Sequence, residues 1–213
     1  MSPLRVVPAT AERWPDLVDL FERRGPRGGH RNVPAHGCWC MFWRDRSLEH
    51  GTPKKRAMRA LVRKGREPGL LAYDGADAVG WISVAPREEY RALLTSPQYR
   101  PRDEDQAVWS IVCFVVDRPR QREGIAGALL DGALEHAHRR SVAMVEAYPH
   151  RSKKDNYMGH LDRPSADGRA SASRRSSAPE TGSRARVLAQ PSANRGGRAA
   201  DDTADGGHRR HAQ

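Results

Sequence analysis

The order of apolar and polar residues divides the first 150 residues into alternating strands and helices. A short apolar run at 4–7 predicts a strand. Apolar residues at helical spacing predict a helix over 9–25, with Thr10 as its expected N-cap. A second amphipathic helix is predicted at 54–65, where the sequence reads KKRAMRALVRKG.

Beyond residue 68 the pattern changes to that of strands. Residues 69–86 predict a hairpin around the turn Asp74-Gly75, and VWSIVCFVV at 108–116 is apolar enough for a strand that is buried on both faces. A helical stripe follows at 124–140, and VAMVEAYP at 142–149 predicts another strand. This order predicts an α/β (α+β) fold, with a mixed central sheet that is flanked by helices.

The last third of the chain has a different composition. Beyond Asp162 the only large apolar residues are Val187 and Leu188, and Arg, Ser, Ala, Gly and Pro dominate. Such a segment buries too little apolar surface to offset the entropy of ordering it. We therefore predict a folded domain at 1–162 and a disordered tail at 163–213.

The charge follows the same division. The chain has a formal net charge of +11. The tail contributes to it with ten arginines against four aspartates and one glutamate. A strongly basic protein favours acidic partners, such as nucleic acid, an anionic membrane or a phosphorylated small molecule.

The N-terminal sequence lacks the apolar run of a secretory signal, and no stretch reaches transmembrane length. The chain has three cysteines, an odd number, and no export signal, so we do not expect a framework of disulfide bonds. We therefore expect a cytoplasmic protein that does not insert into membranes.

Residues 26–44 join a Gly- and Pro-rich loop to the aromatic stretch CWCMFWR, which we expect as a short strand or a packed loop. The segment holds four soft metal ligands: His30, His36, Cys38 and Cys40. Their spacing does not match a common structural zinc site. We expect no metal, with Cys38 and Cys40 packed as small apolar residues among the aromatic rings.

The stretch RQREGIAGALL at 120–130 lies between the strongest predicted strand and the following helix. A helix start directs unpaired backbone N–H groups outward, and Gly124 permits close approach of a ligand to the main chain. Arg120 and Arg122 would add positive charge, so a pyrophosphate suits this arrangement. A plain helix start with solvated arginines fits the same spacing.

Two other phosphate-binding motifs fit less well. The GxxxxGK[ST] string of a Walker A loop does not occur in the sequence. A dinucleotide-binding GxGxxG needs three glycines beginning where the strand ends, whereas Gly124 lies eight residues beyond Val116. Glu146 would match the ribose-binding acid of that motif, but the glycines do not.

QREGIA at 121–126 resembles the pattern [QR]-x-x-G-x-[AG] that marks the acetyl-CoA loop of the GNAT N-acetyltransferases. The order of predicted elements from about Leu4 to Asp162 is also similar to that family. The resemblance implies a GNAT-like domain that binds acetyl-CoA without a metal. It also implies transfer of the acetyl group to a small-molecule or peptide amine by direct attack on the thioester.

By that resemblance, the strand backbone would pair with the pantetheine arm and polarise the thioester carbonyl, while the loop amides would hold the pyrophosphate. The implied binding residues are Phe114, Val115, Val116, Gln121, Arg122, Glu123, Gly124, Ile125, Ala126 and Gly127. The aromatic residues Trp39, Phe42 and Trp43 would then lie near the acceptor.

Glu146 is the candidate general base, since it is a carboxylate near the end of a strand that should flank the acetyl site. A charge that is satisfied by a neighbour explains Glu146 equally well. Ser110 is a weaker candidate for the site. Tyr157 lies too early in the chain to take the role of the tyrosine acid that this family commonly has on its last helix.

The chain departs from the family pattern after about Asp162, where two further strands would be expected and none is predicted. We interpret the C-terminal strands as missing and hypothesise a shifted reading frame, because GC-rich DNA read out of frame yields such a composition. The alternative function is a non-catalytic basic protein that binds nucleic acid through its Arg-rich tail.

Overall fold

The computed structural model describes residues 4–25, 27–32, 37–99, 107–142 and 144–148, together with the backbone of 185–188. These residues form a mixed six-stranded sheet in the order β1-β2-β3-β4-β5-β6. The strands are β1 (Arg5–Pro8), β2 (Leu70–Asp74), β3 (Asp77–Pro86), β4 (Val108–Val116), β5 (Met144–Ala147) and β6 (Ala185–Leu188). β1 to β4 are mutually antiparallel, β4 and β5 are parallel, and β6 is antiparallel to β5.

Helices cover both faces of this sheet. They are α1 (Trp14–Glu22), α2 (Thr52–Arg63), the single turn α3 (Arg91–Leu94) and α4 (Ile125–Arg139). Alternate strand residues face opposite layers, as the pleat of a strand requires. In β2, Leu71 packs with the residues of α1 and α2, whereas Leu70 packs with those of α4. The predicted fold class is therefore confirmed.

Some predicted boundaries differ from those in the structure. Helix α1 begins at Trp14 rather than near Thr10, and no side-chain hydrogen bond caps it. Pro15 in the first turn of α1 explains this start. The backbone N–H groups of a first turn have no partner within the helix, so proline, which has no N–H, loses no hydrogen bond there. The aromatic stretch at 38–44 forms turns rather than a strand, and α3 was not predicted.

A strand exists where the sequence predicts none. We expected no strand beyond Asp162, but Ala185–Leu188 pairs with β5 through four residue pairs from Met144↔Leu188 to Ala147↔Ala185. This segment contains the only large apolar residues of the predicted tail, so it is the part best suited to extend a sheet edge. The rest of the predicted tail at 163–213 lies outside the described residues, and its disorder stays a prediction.

The close approach of α4 to the sheet depends on Gly80. A Cβ at that position would lie 2.7 Å from Cγ2 of Ile125 and 3.0 Å from Cδ1 of Leu129. Ile125 is the first residue of α4, so this contact places the start of the helix.

The described residues include no helix long and apolar enough to span a membrane.

Replacing Gly80 therefore tests whether α4 is held by close packing. We expect Gly80→Ala to lower the free energy of unfolding by about 1–3 kcal/mol, since the added methyl overpacks the interface. Urea denaturation would measure the loss. Gly29→Ala is the control because a Cβ there meets no atom within 4 Å. Equal losses in the two variants would contradict this account of α4.

Candidate functional site

Strand β5 pairs with only the first part of β4. They pair from Val108↔Met144 to Ile111↔Ala147, whereas β4 continues to Val116. No other strand among the described residues pairs with this edge of β4 beyond Ile111. The second half of β4 therefore has backbone groups available on one side for a ligand in extended conformation.

An irregularity in β4 lies next to the end of this pairing. Ser83 pairs with Cys113, but the next residue of β3, Val84, pairs with Ile111, so Val112 is an extra residue in β4. Such bulges bend a strand and increase its twist, and they often lie beside active sites. The predicted pantetheine-binding residues 114–116 follow the bulge directly.

The chain then enters the helix through an open loop. A 3₁₀ turn spans Arg118–Arg120, and both Arg122 (φ 74°) and Gly124 (φ 79°) have left-handed backbone conformations. Gly124 is the N-cap of α4, and its carbonyl accepts the hydrogen bond of the Ala128 amide at 3.0 Å. The amides of residues 125–127 thus precede the first donor within the helix and remain available for an anion.

The side chains around these amides leave room for a ligand. Gln121, Arg122, Glu123, Gly124 and Ala126 are exposed. A Cβ added at Gly127 would meet no atom within 4 Å. Ile125 is the exception among the predicted loop residues, because its side chain is buried between α4 and the sheet. It can therefore offer only its backbone N–H to a ligand.

The two arginines that we expected to supply charge differ in their partners. Arg120 forms ion pairs with Asp74 at 2.7 Å and with Glu123 at 2.5 Å. These two carboxylates outnumber its single charge, so Arg120 joins the loop to the β2–β3 turn rather than adding positive charge. Arg122 has no ion pair with any described residue and remains a candidate for contact with phosphate.

Asp117, at the end of β4, anchors the loop and was missed in the sequence analysis. Arg31 donates two hydrogen bonds to its carboxylate, at 2.8 and 2.7 Å, and Arg23 donates one at 2.7 Å. Burial of the Asp117 side chain, which is 4% exposed, raises the pKa of its carboxyl, but the bonds from Arg31 and Arg23 outweigh burial and lower that pKa below its usual value. The adjacent Arg118 amide donates to Asn32 Oδ1 at 3.2 Å.

Glu146 lies in a buried polar cluster near the end of the β4–β5 pairing. It pairs with Ser110 in the sheet register, one position before the last β4–β5 pair. Its carboxylate accepts hydrogen bonds from the Tyr148 hydroxyl and, at 3.3 Å, from Ser110 Oγ. Arg87 lies 3.5 Å away and supplies the opposite charge. The side chain of Glu146 is fully buried.

This arrangement is consistent with both interpretations of Glu146. Its charge is satisfied by Arg87, as a structural role requires. The Ser110 and Tyr148 hydroxyls also lie 3.1 Å apart and both contact the carboxylate, so the carboxylate is hydrogen-bonded to two groups that can exchange a proton with it, as a base requires. Tyr148 was not among the predicted site residues, because nothing in the sequence shows that Glu146 and Tyr148, two positions apart, share a hydrogen bond.

Comparison with known proteins identifies the family. The model described as the acetyltransferase (GNAT) family matches residues 35–156, more than half of the chain. The chain belongs to the GNAT acetyltransferase family. The match covers β2 to β5, α2, α4 and the loop between β4 and α4. The resemblance seen in QREGIA is therefore confirmed at the level of the family.

Three solved structures are similar to this chain. Diaminobutyrate acetyltransferase EctA from Paenibacillus lautus, in complex with L-2,4-diaminobutyric acid and coenzyme A, is 16% identical, with a TM-score of 0.39. A GCN5-related N-acetyltransferase from Kribbella flavida is 17% identical, with a TM-score of 0.40. The GNAT domain of S. lividans PAT is 15% identical, with a TM-score of 0.47.

The coverage of these alignments also varies. The Paenibacillus alignment covers 70% of this chain and 66% of the other. The Kribbella alignment covers 69% and 30%, and the S. lividans alignment covers 87% and 90%, in the same order. The chain thus spans less than two thirds of the first two relatives. No curated protein sequence matches it.

GNAT enzymes use acetyl-CoA, and the geometry of this GNAT chain fits that molecule. The free edge of β4 suits an amide-containing arm, and the exposed amides at the start of α4 suit a pyrophosphate. Tyr157, the residue nearest to the family's tyrosine acid, lies outside the described residues.

The cysteines of this GNAT domain are packed rather than exposed. Cys40 is buried, and its sulfur accepts a hydrogen bond from Trp81 Nε1 at 3.2 Å. The pKa of the Cys113 thiol is raised well above its usual value. The larger cause is a hydrogen bond with Cys40, and the smaller cause is burial. The described residues contain no group of three or more His, Cys, Asp or Glu side chains placed to hold a metal. His36 lies outside them.

Proposed function

We propose that this chain transfers the acetyl group of acetyl-CoA to an amine by direct attack of the amine on the thioester. The observation that carries the proposal is the continuity of two binding elements. The unpaired edge of β4 ends at Val116, and the exposed amides at the start of α4 follow within eleven residues. An extended arm and a pyrophosphate are the parts of CoA that fit these elements.

The chain would hold this substrate mainly through its backbone. The amides and carbonyls of residues 114–116 would bind the pantetheine arm, and the amides of residues 122–127 would bind the pyrophosphate. Backbone donors at a helix start carry a fixed positive potential and need no reorganisation when the anion arrives. Arg122 would add the side-chain charge that Arg120 gives to Asp74 and Glu123.

Glu146 would accept the proton that the amine loses when it attacks the acetyl carbonyl. The carboxylate lies near the end of the β4–β5 pairing, and the hydroxyls of Ser110 and Tyr148, which bond to it, would form its proton route. The C–N bond forms as the C–S bond breaks, and CoA leaves as the thiolate, which takes up a proton from solvent. Arg87, 3.5 Å from Glu146, supplies the opposite charge beside this carboxylate.

The substitution Glu146→Gln tests the role of this carboxylate. We expect kcat to fall about 100-fold or more, because removal of a general base costs that much, while the Kd for acetyl-CoA stays unchanged. A screen of primary amines with free-thiol detection would measure kcat, and calorimetry would measure the Kd. Glu135→Gln is the control, since Glu135 is exposed and pairs only with Arg139 on the helix surface.

The variant must also be shown to fold, because Glu146 balances the charge of Arg87. Thermal denaturation of Glu146→Gln gives that check. Tyr148→Phe supplies a second measurement, since it removes the hydroxyl of the proton route and keeps the carboxylate. Full activity in a folded Glu146→Gln variant would assign Glu146 a structural role only.

A further inference from the structure

Helix α2 carries a strong surplus of positive charge. Residues 52–66, which are the helix and the turn after it, contain seven lysines and arginines and no aspartate or glutamate. Three of these cations have a place within the domain. Lys54 is buried, and Lys55 and Arg66 form ion pairs with described carboxylates. The other four have no such place.

These four cations are all exposed to solvent. They are Arg56, Arg59, Arg63 and Lys64. None of them forms an ion pair with a carboxylate in the part of the chain that the structure describes. Of the four, Arg59 lies at the groove between α1 and α2. The two acids of that groove, Asp19 and Glu22, already pair with other residues.

Three of the exposed cations form a row along the helix. Arg56, Arg59 and Arg63 have the spacing i, i+3 and i+7, which places them on one face of a helix with 3.6 residues per turn. The row extends about 10 Å along the axis, at 1.5 Å per residue. Met58 and Val62 are buried and face the domain instead. We call Arg56, Arg59 and Arg63 the arginine row.

The arginine row does not stabilise the helix that carries it. Like charges three or four residues apart on a helix repel each other and destabilise it. Helix α4 shows the opposite arrangement, because its Arg139 pairs with Glu135 one turn away. The folding of α2 therefore gives no reason for the row, whereas an anionic partner would remove the repulsion.

The rest of α2 narrows the class of that partner. A helix that binds a membrane inserts apolar side chains into the lipid, and a protein interface has an apolar centre. The large apolar side chains of α2, Met58, Leu61 and Val62, pack in the core of the domain. Recognition by charge alone is typical of the phosphate backbone of nucleic acid. A guanidinium suits it, since two parallel N–H groups can bind one phosphate.

We propose that the arginine row of α2 binds the phosphate backbone of a nucleic-acid duplex. A duplex carries one charge per about 1.7 Å of its axis, so several phosphates lie within the length of the row. Surfaces that bind single strands stack the bases on aromatic side chains, and α2 has none. This site belongs to the folded domain and is distinct from the Arg-rich tail.

The duplex site is also separate from the proposed acetyl-CoA site. Helices α2 and α4 cover opposite faces of the sheet, as the packing of Leu71 and Leu70 shows. We therefore expect acetyl-CoA and a duplex to bind at the same time. The proposal does not depend on acetyl transfer, and its test measures no activity.

The test measures duplex binding by the full chain over a range of salt concentrations. The probes are short labelled DNA and RNA duplexes, and the readout is fluorescence anisotropy. Each phosphate contact contributes about 0.9 to the slope of log K against log salt concentration. Replacing Arg56, Arg59 and Arg63 together by glutamine should weaken binding about tenfold or more and reduce that slope by about 2–3.

A second triple variant is the matched control. Arg27→Gln, Arg91→Gln and Arg139→Gln together remove the same charge from exposed positions outside α2. We expect this control to lose much less affinity than the α2 variant. Equal losses in the two variants would show an effect of net charge and would overturn the proposal. Unchanged binding in the α2 variant would place the nucleic acid elsewhere on the chain and would overturn it as well.

The α2 variant should stay folded. Glutamine is a good helix former, and the substitutions remove the repulsion along the row, so its melting temperature should not fall below that of the wild type. Its Kd for acetyl-CoA should not change. Arg63→Gln alone, at the last residue of α2, is a milder variant, and it should reduce the salt slope by about 1.

Two further probes distinguish the classes of anionic partner. They are polyglutamate and vesicles of anionic lipid, each measured at the same salt concentration as the duplex. Weaker binding of both than of the duplex is the expected result. Binding of either probe that depends on the arginine row and equals or exceeds that of the duplex would assign a different partner and overturn the proposal.

Discussion

Gly124→Asp should abolish acetyl-CoA binding while the protein stays folded. Gly124 is the N-cap of α4 with a φ of 79°. Aspartate tolerates this conformation better than most residues and is a good N-cap, so the helix should form normally. Its carboxylate would lie where the pyrophosphate binds, and the like charges would repel each other. We expect the Kd measured by calorimetry on the full chain to rise 100-fold or more.

Gly124→Asn separates charge from size. Asparagine has nearly the same volume as aspartate and an equal tolerance of the left-handed region, but it carries no charge. Its effect on the Kd should be much smaller than that of Gly124→Asp. Thermal denaturation should show all three proteins folded. Unchanged binding in a folded Gly124→Asp variant would exclude the start of α4 as the pyrophosphate site.

Asp117→Asn should produce the largest loss of stability. It leaves the guanidinium groups of Arg23 and Arg31 without their shared carboxylate, which is 4% exposed. Removing one partner from a buried ion pair costs about 3–5 kcal/mol. We expect a loss of stability at the lower end of that range, because the side chains of Arg23 and Arg31 are 19% and 25% exposed and water can solvate part of their charge. Urea denaturation at pH 7 would measure it. We also expect weaker acetyl-CoA binding, since Asp117 starts the loop.

The pH dependence gives a second check on Asp117. The pKa of its carboxyl is lowered in the folded protein, so its stabilisation is fully present above the unfolded value of about 3.9. That stabilisation is lost as the pH falls toward the folded pKa. The difference between wild type and Asp117→Asn should therefore be constant from pH 7 to pH 5 and decrease below about pH 4. Asp19→Asn is the control, since Asp19 is 61% exposed. Equal losses in the two variants would contradict the anchoring role.

Local pattern predicted much of this fold. The uninterrupted apolar run of β4 and the helical stripe of α4 are strong signals that depend on neighbouring residues only. The loop between them combines a glycine, two arginines and a helix start within a short distance, and the assignment of residues 121–127 to acetyl-CoA stays a prediction. The family resemblance depended on this same stretch.

The features that shape the site were not visible in the sequence. The extra residue Val112 in β4 is defined by its pairing with β3, which leaves no local signal. Asp117 meets Arg23 and Arg31 across 94 and 86 residues of chain. Each of these contacts is decided by tertiary structure rather than by spacing along the chain.

The C-terminal third shows the limit of composition as a predictor. Low apolar content predicted no strand after Asp162, yet Ala185–Leu188 extends the sheet beside β5. Four residues suffice for an edge strand when the neighbouring strand offers an unpaired backbone. The proposed frame shift and nucleic-acid binding by the tail concern residues outside those described, apart from 185–188, and both stay predictions.

Hydrogen exchange with and without acetyl-CoA tests the central claim most directly, because the proposed ligands are backbone amides. The claim predicts slower exchange, on addition of acetyl-CoA, in peptides that cover residues 112–116 and 122–127. Peptides from β1 and β2 should not change. Protection confined to other parts of the chain, or binding without protection of these two segments, would contradict the proposed acetyl-CoA site.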